Sequence, residues 1–522
     1  MRASKRTTTA AADRGAAGRR ERPVPAAGGV RRQRQAMAGS LATLVACAVG
    51  ALVVPGGAAF AAGYNPATDP HSMAADTANT GATAWWNAGY TGKGIDVAVI
   101  DSGVSPVAGL NGTNKIVYGP DLSLESQTPN LRNLDTFGHG TFMAGLIAGH
   151  DAALTAPYAQ APASAYRGMA PDARIVSLKV ATADGGADVS QVIAAINWVV
   201  QHKDDPGMKI RVLNLSYGTN STQASTIDPL SYAAEQAWKK GIVVVAAGGN
   251  SGFHTDGLAD PAYNPYIISV GASDSMGTAT ANDDIIGRFS AHGASKGRAP
   301  DFVVPGTHVQ GLRVPSSYID VSHPEGVIDG RYFRGSGTSQ AAAITSGAVA
   351  LILEKYPTIT PDQVKLLLRS KAQPLNKVDV DDQGAGEIQL APTLTAALSS
   401  QKQTLTNATG TGSLEASRGS DHISSKGVAL TGEKDIFGHP VNTTSLATSE
   451  AAGSSWSGGS WNGSTWSGST WSGSSWCGSS WSGSTWSGST WSGSTWSGST
   501  WSGSSWSGST WSGSTWSGSS WT

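Results

Sequence analysis

Cysteine is almost absent: the chain of 522 residues holds two, Cys47 and Cys477. The first lies in an apolar N-terminal stretch, so a chain that sheds its leader keeps one thiol and forms no internal disulfide. Stability must then come from a core or from bound ions. Charge is scarce and balanced, at 14% of residues and a formal net of −1, which leaves no basic field to steer nucleic acid. Long apolar runs are confined to one place. Arginines up to Arg34 precede an apolar stretch from Met37 to Phe60, which Pro55-Gly56-Gly57 interrupts and which ends in Ala59-Phe60-Ala61, a small-residue cleavage pattern. The pattern predicts a secretory signal peptide over 1–61, cleaved after Ala61, an extracellular location, and no membrane span in what remains.

Glycine is plentiful, with 66 residues, and it gathers where apolar segments stop. Ile95 to Ile100 reads as a buried strand ending in Asp101-Ser102-Gly103, which puts a carboxylate at the edge where open α/β sheets bind ligands. Gly138-His139-Gly140-Thr141 opens an apolar helix, Phe142 to Ala148. Of the 10 histidines, His139 alone has glycine on both sides at such a start. The strand Gly241 to Ala247 runs into Gly248-Gly249-Asn250-Ser251-Gly252, where the Asn250 amide suits an oxyanion. Finally, Gly335 to Ala343 (Gly-Ser-Gly-Thr-Ser-Gln-Ala-Ala-Ala) sets Ser339 at the mouth of an alanine-rich helix, whose N–H groups and positive end favour developing negative charge. Taken singly, Ser339 reads as a helix cap, Asp101 as a turn residue and Asn250 as a residue tolerant of left-handed geometry. Together they supply the nucleophile, base, orienting acid and oxyanion donor of acyl transfer.

The elements between these segments alternate. Asp188 caps a helix with Gln191 three residues on, and Val189, Val192, Ile193, Ile196, Val199 and Val200 recur at helical spacing. A strand follows at Ile210 to Leu215, then a helix at Pro229 to Lys240 that Gly241 stops, then the strand Ile242 to Ala247. Thr360-Pro361-Asp362-Gln363 starts a late helix with a cap, a proline at its first position and a reciprocal Gln. Continuous apolar strands alternating with helices predict an α/β fold, a doubly wound parallel sheet with helices on both faces.

At these residues the chain resembles the subtilisin-like serine proteases, over about Gly81 to Pro392. The order Asp101, His139, Ser339 is that of subtilisin and differs from the orders found on unrelated folds. Leu213 to Gly218, Ile267 to Ala272, Phe289-Ser290 and Pro300 to Gly306 extend the likeness. It implies that Ser339 attacks the scissile carbonyl, His139 takes and returns the proton, Asp101 holds the imidazole, and Asn250 binds the oxyanion with the Ser339 N–H. It also implies a polypeptide substrate, paired along an exposed strand matching Leu215, Ser216, Tyr217 and Gly218. The resemblance further implies that Ala246, Ala247 and Gly248 form the other wall of the primary pocket, with its base near Ala259 and Asp260; the small walls suggest a roomy apolar pocket, and Asp260 reads either as a surface loop carboxylate or as one that favours a basic side chain. The chain departs from the family at Phe142, Gln340 and Ala343, where His, Met and Pro are usual. No cofactor is expected for the chemistry. Calcium is the structural ion the resemblance suggests, with loop carboxylates Asp184, Asp188, Asp283 and Asp284 as available ligands. Only about twenty residues separate Ala61 from the start of the likeness, below the roughly 40 at which a domain folds unaided, so the usual folding propeptide is expected to be missing.

The ends differ in character from the middle. The expected organisation is a leader over 1–61, a short extension over 62–80, the peptidase domain over 81–398, a polar linker over 399–453 and a repeat tail over 454–522. In the tail a tryptophan returns every five residues from Trp456 to Trp521, spaced by Ser-Gly-Ser-Thr and close variants. Five is odd, so a continuous strand would put successive tryptophans on opposite faces, and five matches no helical face. The tail reads either as a flexible low-complexity segment or as an array of aromatic platforms for cell-wall polysaccharide or for itself. Two functions follow: a secreted serine endopeptidase working through an acyl-enzyme, or a degenerate copy of such a domain that binds wall material through its tail.

Overall fold

The computed structural model describes residues 63–467, apart from 127, 129, 253–256, 294–296, 426, 427 and 458, together with short strand segments between 470 and 502. The signal-peptide segment 1–61, Cys47 and Cys477 lie outside the described residues. In chain order the elements are α1 (Met73–Asn79), α2 (Ala82–Asn87), β1 (Asp96–Asp101), β2 (Ile116–Asp121), α3 (His139–Ala148), β3 (Arg174–Lys179), α4 (Val189–His202), β4 (Ile210–Leu215), α5 (Pro229–Lys239), β5 (Val243–Ala247), β6 (Ile268–Asp274), β7 (Ile285–Ile286), β8 (Phe302–Pro305), β9 (Val309–Leu312), α6 (Tyr318–Ser322), β10 (Tyr332–Gly335), α7 (Thr338–Lys355), α8 (Pro361–Lys371), α9 (Val380–Gln383), α10 (Leu414–Arg418) and α11 (Thr443–Ala452).

The main sheet has the order β2-β3-β1-β4-β5-β6-β7, with β8 also paired to β6. Every pairing is parallel except β6 with β7. The strands β1 and β5 are buried at every position, as strands covered on both faces must be. One layer is α3 packed along α7; the other is α4 packed along α5. The sheet is therefore the doubly wound α/β sheet that the alternation predicts.

Local chemistry explains the element starts. The Asp188 N–H donates to Gln191 Oε1 at 2.7 Å and the Ser190 N–H donates to Asp188 Oδ1 at 2.9 Å, so α4 begins on the predicted capping box. The Thr360–Gln363 box starts α8 in the same way. The extension before residue 81 is part of the body: Met73 and Asp76 are buried, and just after it Trp85 Nε1 donates to the Leu390 carbonyl at 2.9 Å.

Beyond Ser399 the polar linker expected from composition is absent. Leu414, Ile423, Ile436, Phe437 and Val441 belong to the main core, and Arg418 is fully buried in an ion pair with Asp188, Nε to Oδ2 at 2.7 Å. The few apolar residues lack helical or strand periodicity because they are spread over short elements and turns. The repeats begin on the same surface. Trp456 Nε1 donates to the Ala194 carbonyl at 3.0 Å, and Trp461 is 2% exposed. The odd repeat length is resolved by reversal: Trp456 pairs with Trp461 across one hairpin, and Ser460 with Thr465 across the next. The turn of the second hairpin is Asn462-Gly463, and both residues have positive φ, +48° and +80°, the geometry that Asn-Gly hairpin turns require.

Candidate active site

Asp101 ends β1, and His139 is the first residue of α3. Nδ1 of His139 lies 2.7 Å from Asp101 Oδ1 and 2.9 Å from Oδ2. This approach depends on Gly140, where a Cβ would stand 2.1 Å from the Gly103 carbonyl oxygen and 3.1 Å from the Asp101 side chain. Gly138 enters the helix at φ +106°, a left-handed geometry that glycine adopts freely.

Two residues that sequence reasoning passed over fasten this turn. Asp135 accepts hydrogen bonds at 2.7 Å from the Gly138 N–H, the Thr141 N–H and Ser102 Oγ. The Ser102 N–H in turn donates to Asp101 Oδ1 at 2.7 Å. Asp135 thus ties the acid's turn to the first turn of α3; the available signal was a carboxylate four residues before His139 in the same glycine turn. Behind it, Lys179 Nζ is ion-paired with Glu125 at 3.0 Å, both fully buried, and donates to the Ser102 carbonyl at 2.7 Å. Burial pushes Asp121, Glu125 and Asp135 above the ordinary carboxylate range, while the Lys179 ammonium and local hydrogen bonds pull them back.

Asn250 follows the carboxyl end of β5, and its orientation is fixed by α7. Its Oδ1 accepts from the Thr338 N–H at 2.9 Å and from Thr338 Oγ1 at 2.8 Å, while the Gly249 N–H donates to Thr338 Oγ1 at 3.1 Å. With the oxygen committed, Nδ2 is the free-to-donate side, and a Cβ on Gly337 would come within 3.2 Å of it. Ser339 is the second residue of α7, and its carbonyl accepts from Ser216 Oγ at 3.3 Å. The carboxyl ends of β1, β4 and β5 therefore bring Asp101, His139, Asn250 and Ser339 to one edge of the sheet, all of them buried in the chain.

The stretch expected to be an exposed substrate strand is buried: Leu215 and Ser216 are fully covered and Tyr217 is 5% exposed. Gly218 is buried too, and α10 with the turn after it lies beside this stretch. Ala246 and Ala247 are buried within β5, and the Gly248 carbonyl accepts from the Ala259 N–H at 2.9 Å. Asp260 is not the base of a pocket for cations. It points into the protein, accepting from Ser231 Oγ at 3.0 Å and Ser417 Oγ at 3.3 Å, and burial together with the neighbouring Asp228 pushes its carboxyl well up.

The suggested calcium ligands are committed elsewhere or scattered. Asp188 caps α4 and pairs with Arg418; burial pushes its carboxyl up, but the guanidinium outweighs this and holds it below the ordinary value. Asp184 accepts from Thr182 Oγ1 at 2.6 Å and Asp283 from Thr278 Oγ1 at 2.8 Å. Burial raises Asp284 to about 6, beside Glu387. Among the described residues no group of three or more His, Cys, Asp or Glu side chains is arranged to hold a metal ion. The three departures also have places. Phe142 is 1% exposed in the core, and α7 runs unbroken through Ala343. Gln340 is fully buried, and neither its Oε1 nor its Nε2 has a hydrogen-bond partner.

The subtilase family, Peptidase_S8, matches residues 92–412, more than half of the chain. The chain belongs to the subtilase family. This subtilase is 35% identical over 303 residues to the serine protease AprX of Bacillus subtilis (strain 168), covering 57% of the chain and 65% of that relative. It is 31% identical over 287 residues to subtilisin DY of Bacillus licheniformis, with 54% and 85% covered, and 30% identical over 303 residues to subtilisin BL of Lederbergia lenta, with 58% and 92% covered. A crystal structure of a cold adapted subtilisin-like serine proteinase matches at 28% identity and a TM-score of 0.42, covering 57% of the subtilase and 88% of that chain. The matched region is that of a serine-type endopeptidase, a class that needs no cofactor for catalysis. Among the described residues no helix is long and apolar enough to cross a membrane.

Proposed function

We propose that this subtilase is a secreted endopeptidase that hydrolyses peptide bonds of polypeptides through Ser339. The observation that carries the reading is the contact of both Asp101 oxygens with His139 Nδ1 at 2.7 and 2.9 Å. That contact fixes the imidazole with Nδ1 protonated, so Nε2 is the nitrogen left to accept the Ser339 proton. Oγ of Ser339 then bonds to the scissile carbonyl carbon as His139 takes its proton. The carbonyl oxygen becomes an oxyanion, which accepts from Asn250 Nδ2 and the Ser339 N–H. His139 passes the proton to the leaving amine, the C–N bond breaks, and an acyl-enzyme ester remains. Water, giving its proton to His139, cleaves the ester and returns Ser339 to its hydroxyl form.

Secretion rests on the leader pattern of 1–61. The repeat tail is proposed to contact wall polysaccharide: fourteen of the chain's 18 tryptophans stand there without charged neighbours, and although Trp456 and Trp461 are buried, an indole has an apolar face suited to stacking on a sugar ring. Weak contacts on a repeating surface add through effective concentration. Labelling of the full chain by a fluorophosphonate tests the catalytic reading. One adduct per chain at Ser339 is expected; a folded chain that takes no label would overturn it.

A further inference from the structure

The turn that leads into Ser339 is made of small residues: Gly335, Ser336 and Gly337 join β10 to α7. Such a segment has little stiffness of its own, so its place depends on what it is bonded to. Two bonds come from the loop between β8 and β9. The Gly337 N–H donates to the Gly306 carbonyl at 2.8 Å, and the His308 N–H donates to Ser336 Oγ at 2.9 Å. His308 itself stands at φ +56°, which a side chain of its size adopts only where its surroundings hold it. Arg334, the last residue before the turn, supplies a hold: its Nη1 donates to the His308 carbonyl at 2.8 Å.

Arg334 is in turn held from outside the family domain. Nη2 donates to Asp69 Oδ2 at 2.6 Å, and Nη1 also donates to the His71 carbonyl at 3.1 Å. Two of these three acceptors thus belong to the stretch from Tyr64 to Met73, which precedes residue 92, where the family match begins. That stretch is anchored on the same pair of strands. The Gln310 N–H donates to the His71 carbonyl at 3.1 Å and the Met73 N–H to Gln310 Oε1 at 3.0 Å, and Gln310 is the cross-strand partner of Arg334. The Tyr64 hydroxyl donates to Asp69 Oδ2 at 2.6 Å, and its ring stands edge-on to Tyr332 at 5.9 Å. Burial pushes the Asp69 carboxyl up, but Tyr64 and Arg334 outweigh this and hold it below the ordinary value. The pair therefore stays charged wherever His139 acts as a base.

We infer that Asp69 is a positioning residue for the nucleophile: through Arg334 and the 306–308 loop, the N-terminal extension sets where Ser339 stands. The inference rests on the reading of Ser339 as nucleophile. The path is short and bonded throughout. From Asp69 it runs over Arg334 to the His308 carbonyl, from the His308 N–H to Ser336, and from Gly306 to Gly337; the next residue, Thr338, orients Asn250. One brace thus serves the nucleophile and the oxyanion donor together. Asp69 itself touches no reacting atom, so its loss lowers turnover and leaves substrate binding as it was.

The test compares two ion pairs in the full chain. Asp69→Ala removes the brace; Arg334→Lys, which keeps the charge but cannot reach all three acceptors, takes its place with the same expectation if Asp69→Ala does not fold. The control is Arg174→Met, which removes the pair of Arg174 with Asp96, Nε to Oδ1 at 2.8 Å, at the opposite, amino end of β1. Each variant is assayed well below its own unfolding temperature. In Asp69→Ala, kcat on a soluble peptide and the rate constant of fluorophosphonate labelling at Ser339 should both fall about tenfold, short of the roughly hundredfold that a 1 Å misplacement costs, with KM unchanged. Arg174→Met should keep the parental kcat whatever stability it loses. Parental kcat and labelling rate in the folded Asp69 variant, a loss carried by KM, or an equal fall in Arg174→Met would overturn the inference. A folded unmodified chain that takes no label would instead overturn the reading of Ser339.

Discussion

The catalytic edge and the C-terminal wrap are both built on buried carboxylates, but they satisfy them differently. At the catalytic edge Asp101 and Asp135 receive backbone N–H groups from within a few residues: Ser102 for the first, Gly138 and Thr141 for the second. Such bonds arise as soon as the local turn forms. In the wrap, Asp188 receives a guanidinium from a residue 230 positions away, Asp260 shares Ser417 with Asp228, and Glu450 is held by Asn197 Nδ2 at 3.0 Å. None of these partners is present until the chain has closed on itself. The turns that carry the acid and the base thus gain local backbone bonds, although the oxyanion residue Asn250 takes its orientation from Thr338, 88 positions on, and the wrap is held by single long-range pairs that can be removed one at a time.

The largest expected effect separates chemistry from folding. Ser339→Ala should lower kcat by about a million-fold, the size established for the nucleophile of subtilisin itself, while thermal unfolding stays close to that of the parent. A variant that still hydrolyses peptides at the parental rate would remove Ser339 from the mechanism. Next is Arg418→Met, which leaves Asp188 buried without its counter-charge and should cost about 3–5 kcal/mol in urea unfolding. A cost near zero would show that the wrap does not depend on this pair. The same dependence predicts that a chain ending at Ser399 is far less stable than one ending at Ser467, which keeps Arg418, Trp456 and Trp461.

Smaller effects probe each region separately. Burial pushes the Glu450 carboxyl up to about 8 from an ordinary 4.5. As pH rises, the unfolded chain therefore releases this proton first, and the wrap loses stability between about 4.5 and about 8 but no further above. Glu450→Gln keeps an acceptor for Asn197 and cannot ionise. Its unfolding free energy should fall less steeply over that interval and exceed the parent's at pH 8; identical pH profiles would exclude Glu450 as the source. At the catalytic edge, Gln340→Met removes a buried carboxamide without partners and should raise stability by about 1 kcal/mol. A loss of stability would mean that the carboxamide is satisfied in solution.

The residues of the site could be picked out in the sequence because each sits in its own short signature. A strand followed by Asp-Ser-Gly, a histidine between glycines, and Gly-Thr-Ser before an alanine-rich helix are all encoded within a few positions. The caps Asp188–Gln191 and Thr360–Gln363 were legible for the same reason. The repeat tail shows the limit of this reasoning: a five-residue period matches neither a helix nor a continuous strand, and the hairpins of the described repeats become visible only once paired strands such as Trp456–Ser457 and Ser460–Trp461 are seen to reverse.

What only the tertiary structure decided is which partner each buried polar group meets. Nothing near Asp260 says that it turns inward to Ser231 and Ser417 rather than toward a substrate, and nothing near Asp188 says that it waits for Arg418. The segment from 399 to 453 is polar and aperiodic, so the sequence alone determined its composition but not its place. Its position depends on contacts whose closure entropy is met only after the sheet and its helices have assembled. Turns, caps and the short catalytic motifs belong to the sequence because each is encoded within a few positions; the meeting of those motifs and the packing of the wrap belong to the fold because their partners lie tens to hundreds of residues away.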